Sequence, residues 1–176
     1  MKTSIALIGF MGTGKTAVGK VLARKLDKKF IELDAVIEKN AGRSIPEIFR
    51  QDGEIRFREL EIEAVRDIAT KKDVVIACGG GSILNTINIE RLKKESVIIC
   101  LSASPSVILK RTSRDMDGRP LLNVADREQQ IKKLLEFRRP FYNRAADITV
   151  NTSRLNIDSV ADKILEKLKG HESYHR

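Results

Sequence analysis

The sequence predicts an α/β fold on a parallel sheet, and two observations carry that prediction. Short continuous apolar runs of strand length recur along the chain, and segments of helical period lie between them. Strands buried on both faces read as unbroken apolar runs, and parallel strands need long crossovers, which helices supply. With 176 residues, 41% of them hydrophobic, the chain is long enough for one sizeable core and short for two. Residues 1–170 are therefore expected to form a single domain.

The first run is Ile5–Ile8, and a helical stripe of Val18, Val21, Leu22 and Leu26 follows it. Phe30–Leu33 is the second strand. From Ala35 to about Ala69 the pattern departs from alternation and reads as helix after helix, with Ser44 and Glu47 spaced as a capping box. Val74–Cys78 and Val97–Leu101 are the third and fourth strands. Ser104 before Pro105, and Asp126 three residues before Gln129, mark two more helix starts. Between them Thr112–Val124 is polar, non-periodic and rich in Arg, Asp and Gly, which reads as a lid loop over about 112–124. Asp147–Val150 is the last strand. Ile157, Val160, Ala161, Ile164 and Leu168 form a final stripe that Gly170 stops, leaving 171–176 as a disordered tail.

Composition removes several classes of function. Lys and Arg number 33 against 24 Asp and Glu, a net charge of +9 that favours anionic partners. No apolar run approaches the roughly 20 residues of a membrane helix, so no membrane partner is expected. Glycines interrupt the first apolar stretch before any signal-peptide core forms, which predicts a cytoplasmic protein. The two cysteines sit inside apolar runs with no second ligand at metal spacing and read as buried strand residues. Both histidines lie in the last six residues, which rules out chemistry built on a core histidine. Their His171-Glu172-Ser173-Tyr174-His175 string fits the zinc-protease pattern, but it follows a helix stop, whereas that motif works only on a helix. Thr70-Lys71-Lys72-Asp73 likewise matches a guanine-reading string, but it precedes the third strand, where that motif does not act.

Gly9-Phe10-Met11-Gly12-Thr13-Gly14-Lys15-Thr16 matches the Walker A pattern in full, directly after the first strand and before the first helix. Gly12, Thr13, Gly14 and Ala17 then offer backbone around phosphate oxygens at a helix N-terminus. Lys15 reaches the β- and γ-phosphates, and Thr16 offers a hydroxyl to magnesium. The sequence thus predicts a nucleoside triphosphate as one ligand.

Glu32-Leu33-Asp34 places two carboxylates at alternate positions beside the carboxyl end of the second strand, where ligands bind in such sheets. One acid can serve a metal and the other an acceptor hydroxyl; helix capping by Asp34 is the plainer alternative. Gly79-Gly80-Gly81 after the third strand removes side chains from a pocket wall, so that a substrate ring can approach the backbone. Ile131, Leu134, Leu135 and Arg138 follow helical spacing, which turns the Arg138 guanidinium toward the buried side. Arg58 stands in a run of charges that looks like an ordinary solvated helix face.

These motifs resemble, in order, those of the shikimate kinase family: the phosphate loop, Asp34, Phe57-Arg58-Glu59 with Glu61, Gly79-Gly80-Gly81, Gly118-Arg119-Pro120-Leu121-Leu122, and Arg138-Arg139-Pro140-Phe141-Tyr142. The resemblance spans Ile5 to about Leu168. It implies a five-stranded P-loop fold of order 2-3-1-4-5, with a helical substrate-binding insertion over about 34–61 and a mobile lid. In that order the two cysteine strands are separated by the first, so no disulfide is expected. The resemblance further implies ATP and shikimate as substrates, Mg2+ as cofactor, and a monomer. Asp34 would then hold and orient or deprotonate the attacking hydroxyl, and Arg58 and Arg138 would grip the carboxylate. Gly80 would contact the ring, with Gly79 and Gly81 beside it. Arg119 would reach the transferring phosphate, and Arg111 and Arg154 would flank the adenine. The family usually carries aspartate where this chain has Glu32, which shifts the geometry of any magnesium contact there.

Two rivals remain at this stage. Another small-metabolite or nucleotide kinase of the same fold would have no need of paired carboxylate-gripping arginines beside a triple glycine. A basic nucleic-acid-binding module would account for +9, but it calls for stacking aromatics, and aromatics are only 5% here. No nucleic-acid partner is therefore expected.

Overall fold

The computed structural model describes residues 1–113, 120–122 and 124–175. Five strands, β1 (Ser4–Ile8), β2 (Lys29–Glu32), β3 (Val74–Ala77), β4 (Ser96–Ser102) and β5 (Ile148–Asn151), form one sheet in the order β2-β3-β1-β4-β5. Each of its four pairings is parallel. Helices α1 (Lys15–Leu26), α2 (Leu33–Ala41), α3 (Ile45–Ile68), α4 (Thr86–Glu95), α5 (Pro105–Thr112), α6 (Arg127–Ala145) and α7 (Ile157–Lys169) supply the connections. Short 3-10 turns cover Ser82–Leu84 and Pro120–Leu122.

Alternation along β1 shows how the layers form. Ala6 and Ile8 face one side of the sheet and pack with Leu33, Ile37, Ala64, Leu92 and Tyr142, drawn from α2, α3, α4 and α6. Ile5 and Leu7 face the other and pack with Val18 and Leu22 of α1 and Val160, Ala161 and Ile164 of α7. A strand covered on both faces has no polar side to show, which is why β1, β3 and β4 read as unbroken apolar runs; β2 and β5, at the sheet edges, are only partly covered. Ile157 is the exception in its stripe: it opens α7 at 46% exposure instead of joining the core.

The expected helix starts all form. Ser44 and Glu47 make a reciprocal capping box, Ser104 accepts from the Val107 amide beside Pro105, and Asp126 accepts from the Gln129 amide at 3.0 Å. The expected helix-after-helix region is α2 followed by α3, and α3 bends at Gly53.

The C-terminal segment departs from the expected disordered tail. The Lys2 amide donates to Ser173 O at 2.8 Å, the His175 amide donates to Lys2 O at 2.8 Å, and Tyr174 packs on the α1–α7 side of the core. Lys2, just ahead of β1, has backbone groups to pair, and Tyr174 has an aromatic ring to cover; together they hold residues 171–175. The His-Glu-x-x-His string is accordingly not helical. Among the described residues, no helix is long and apolar enough to cross a membrane.

Because the strands are parallel and in register, with Ala6 opposite Ile76 and Glu32 opposite Ala77, the carboxyl ends of β1, β2 and β3 finish together. The glycine loop after β1, Glu32 and Asp34 after β2, and the triple glycine after β3 therefore meet at one edge. Thr70–Asp73, entering β3 from its amino end, lies at the opposite edge.

Candidate active site

The loop after β1 turns into α1 through Gly14, whose φ of 95° is a left-handed conformation that a side chain would strain. Lys15 opens the helix, and its ammonium donates to Gly9 O at 2.8 Å and Phe10 O at 3.0 Å, so it arches over the loop. Gly12, Gly14, Lys15, Thr16 and Ala17 line a hollow of about 430 Å³, with Arg111 on its rim. Thr13 differs from its neighbours. Both its amide and its hydroxyl donate to Phe10 O, so the side chain is buried behind the loop.

Glu32 and Asp34 line the same hollow, but they do not share a strand. Glu32 is the last residue of β2, whereas Asp34 sits in the first turn of α2. The chain bends between them, and the change of element brings both carboxylates to the site. Glu32 Oε1 accepts from the Thr16 hydroxyl at 2.6 Å, which pairs two hard oxygens at the mouth of the loop. Asp34 does not act as a helix cap: the N-cap position is Glu32, and no side chain caps that helix. Its Oδ1 is buried without a hydrogen-bond partner. Burial pushes the Asp34 carboxyl up from 3.8 to about 6; the Lys15 charge opposes this, and the Glu61, Glu32 and Glu38 carboxylates add to it.

A second hollow of about 130 Å³ adjoins the first, and Met11, Asp34, Gly79 and Gly80 line both. Asp34 thus stands at the junction. Arg138 reaches the second hollow from α6, only 2% exposed, with its guanidinium 5.5 Å over the Phe10 ring. Its Nε and Nη1 are buried without partners. Arg58 enters from α3 and is already paired, through Nη2 to Glu54 at 3.0 Å and through Nη1 to Glu61 at 3.0 Å. The triple glycine is the wall between the arginines. A Cβ on Gly81 would stand 2.5 Å from Arg58 Nη2, and one on Gly80 would stand 3.5 Å from Arg138 Nη1. The Tyr142 hydroxyl donates to Gly80 O at 2.6 Å and pins that wall from α6.

Residues to which the sequence assigned no role support these groups. Phe49 and Phe57, with rings 4.8 Å apart, and Ile45 close the apolar side of the second hollow. Glu61 is 1% exposed and accepts from Ser82 Oγ at 2.7 Å. The sequence placed it in the family motif beside Arg58 without a role, and its i,i+3 spacing from Arg58 puts both on one helix face.

The arginines expected around the nucleotide separate. Arg111 grips Gly12 O at 3.1 Å and Thr152 O at 2.9 Å, which ties α5 to the glycine loop. Arg154 lies beyond β5 in another depression, lined with Ser104, Ser153 and Lys163. Arg119, and with it most of the expected lid, lies outside the described residues; Leu121 reaches the second hollow. Both cysteines are buried and unpaired. Burial pushes the Cys78 thiol up to about 12 and the Cys100 thiol up to about 11, which removes them as nucleophiles.

Comparison with known proteins matches this geometry over almost the whole chain. The shikimate kinase family profile covers residues 11–169. A shikimate kinase from Caldanaerobacter subterraneus is 50% identical over 95% of this chain and 98% of that protein. One from Thermodesulfovibrio yellowstonii is 49% identical over 93% of this chain and 94% of its own length. A solved shikimate kinase from Acinetobacter baumannii in complex with shikimate superposes with a TM-score of 0.93 at 36% identity, covering 98% of this chain and 96% of that one. The chain belongs to the shikimate kinase family.

Proposed function

We propose that this protein transfers the γ-phosphoryl group of ATP to the 3-hydroxyl of shikimate, in the step that gives shikimate 3-phosphate in aromatic amino-acid biosynthesis. One observation carries the reading. Arg138 is a nearly fully buried guanidinium with two unpartnered donors, set in a small hollow that opens onto the phosphate loop at Asp34. Unsatisfied donors on a buried cation are costly, and a planar carboxylate is the anion that matches such a fork. A substrate held there by its carboxylate presents its far side, the hydroxyls, to Asp34.

We assign the roles as follows. Gly12, Gly14, Ala17 and the start of α1 cradle the phosphates of ATP, with Thr13 bracing the loop from behind. Lys15 swings from its carbonyl partners to the β- and γ-phosphates. Asp34 accepts the hydrogen bond of the attacking hydroxyl and takes its proton as the oxygen–phosphorus bond forms and ADP leaves. Because burial sets Asp34 near 6, the carboxylate is ionised at neutral pH yet more basic than an exposed aspartate. Arg138 and Arg58 hold the carboxylate, and Gly79, Gly80 and Gly81 let the ring approach. The family resemblance assigns Arg119 to the transferring phosphoryl group; Arg111, on the rim of the phosphate hollow, is placed to flank the adenine, whereas Arg154 lines a separate depression.

Thr16 and Glu32 are the residues that would hold magnesium, and their paired hard oxygens fit that ion. Among the described residues, no cluster of three His, Cys, Asp or Glu side chains could hold a metal unaided. When bound, the ion would neutralise charge on the nucleotide phosphates. The protein works as a cytoplasmic monomer. The test is a coupled ADP-release assay with ATP and a panel of shikimate, gluconate and nucleoside monophosphates. Shikimate is expected to be turned over far faster than the others; comparable turnover of a nucleoside monophosphate refutes the assignment.

A further inference from the structure

We propose that Ser82 is a positioning residue for carboxylate selection, acting through Glu61 on Arg58; the assignment rests on the shikimate kinase reading above. Ser82 is fully buried, and its hydroxyl donates to Glu61 Oε1 at 2.7 Å. The other carboxylate oxygen of Glu61 accepts from Arg58 Nη1 at 3.0 Å. A carboxylate with one oxygen fixed by a hydroxyl and the other by a guanidinium has no freedom to rotate. The chain from Ser82 to Glu61 to Arg58 therefore sets where the guanidinium lies against Gly81.

The turn that carries Ser82 is itself held in place. The Ser82 amide donates to Gly79 O at 3.2 Å, and Asn88 Nδ2 donates to Ser82 O at 3.4 Å. Ser82 thus links the glycine wall to the arginine that faces it. Arg58 has a competing anchor in Glu54, which is 47% exposed. Without Ser82, Glu61 can turn, and Arg58 follows the exposed Glu54 away from the wall. The Arg138 contact is unaffected, so selection for the carboxylate falls without being abolished.

The test is steady-state kinetics of Ser82→Ala and Ser82→Thr with shikimate and shikimate methyl ester, alongside thermal unfolding. Ser82→Ala should raise the KM for shikimate about tenfold, the order expected when a charge-assisted contact is displaced. The KM for ATP should stay unchanged, kcat should stay within about threefold, and the acid-over-ester preference should fall about tenfold. Ser82→Thr keeps the hydroxyl and should recover most of that preference. A merely structural role would move stability and both substrates together and leave the acid-over-ester ratio alone. A wild-type acid-over-ester ratio in Ser82→Ala overturns the assignment, whatever happens to Tm. A wild-type protein inactive on shikimate refutes the proposed function, and this assignment with it; an active wild type with an unaffected variant refutes the assignment alone.

Discussion

Asp34 and Glu61 face one another across Gly79. A Cβ placed on that glycine would stand 3.2 Å from Asp34 Oδ1 and 2.9 Å from Glu61 Oε1. The two carboxyl groups differ in support. Glu61 has a hydroxyl on one oxygen and a guanidinium on the other, whereas Asp34 Oδ1 has no partner. Glu61 is thus held at both oxygens, whereas Asp34 Oδ1 is not engaged.

The first prediction is the Asp34 titration. Burial raises it to about 6, with the Lys15 charge as the main opposing influence. Carboxyl 13C NMR of the ligand-free protein should show Asp34 titrating near 6. Lys15→Met removes the opposing charge and should move the midpoint higher; Glu61→Gln removes a repelling carboxylate and should move it lower. A midpoint near 4 in the wild type would mean that the site is wetter than its geometry indicates. Lys15→Met should also lower kcat about a hundredfold or more, because a neutral side chain cannot balance phosphate charge.

The same shift has a consequence for stability. A carboxyl whose folded-state value lies above its unfolded value binds protons more tightly when folded, so stability falls as pH rises from about 4 to about 6. Above about 6 the ionised Asp34 destabilises the fold by at most about 3 kcal/mol, the equivalent of two units. Asp34→Asn should therefore be inactive yet unfold at a higher temperature than the wild type at pH 8, with the advantage shrinking toward pH 4. A lower Tm for Asp34→Asn at pH 8 would refute this account.

What the sequence made legible was local. Strand runs, helix stripes and caps depend on residues a few positions apart, and the structure forms them close to where that spacing placed them, with Leu33 passing from strand to helix and Ile157 left exposed. Arg138 belongs to the same class, since its inward direction follows from the stripe of Ile131, Leu134 and Leu135. The supports of the site were hidden because they join distant positions. Ser82 meets Glu61 from 21 residues away, and Tyr142 meets Gly80 from 62. Glu61 was further masked by the run Glu59–Glu63, which in isolation reads as a solvated face. The C-terminal segment was misjudged for the same reason, because its partner, Lys2, lies at the other end of the chain.

Glu32 gives a third prediction, concerning metal. Its carboxylate holds the Thr16 hydroxyl at 2.6 Å, and the two hard oxygens face the phosphate hollow together. Glu32→Ala leaves Thr16 without that acceptor and removes one charge. The magnesium concentration giving half-maximal activity should rise about tenfold, with little change in the KM for shikimate. Equal magnesium requirements in the two proteins would remove Glu32 from the metal site.

The last prediction concerns which arginine reads the carboxylate. Arg58 already has Glu54 and Glu61 as partners, so an incoming carboxylate must share it or displace Glu54. Arg138 has two buried donors with nothing on them. Binding a carboxylate there relieves an existing penalty, so Arg138 should contribute more than Arg58. Loss of such a contact costs about 1.5 to 3 kcal/mol, or roughly ten- to a hundredfold in kcat/KM. Arg138→Ala should lower kcat/KM for shikimate within that range and leave the KM for ATP nearly unchanged. Arg138→Lys should recover only part, because an ammonium does not reproduce the planar fork and the Phe10 face stacks a guanidinium better. Arg58→Ala should cost less than Arg138→Ala. Shikimate methyl ester separates a carboxylate role from a packing role: the wild type should reject the ester, and Arg138→Ala should discriminate far less between ester and acid. If Arg138→Ala keeps the wild-type acid preference and Arg58→Ala loses it, the reading arginine is Arg58, and the unpartnered donors of Arg138 serve another group.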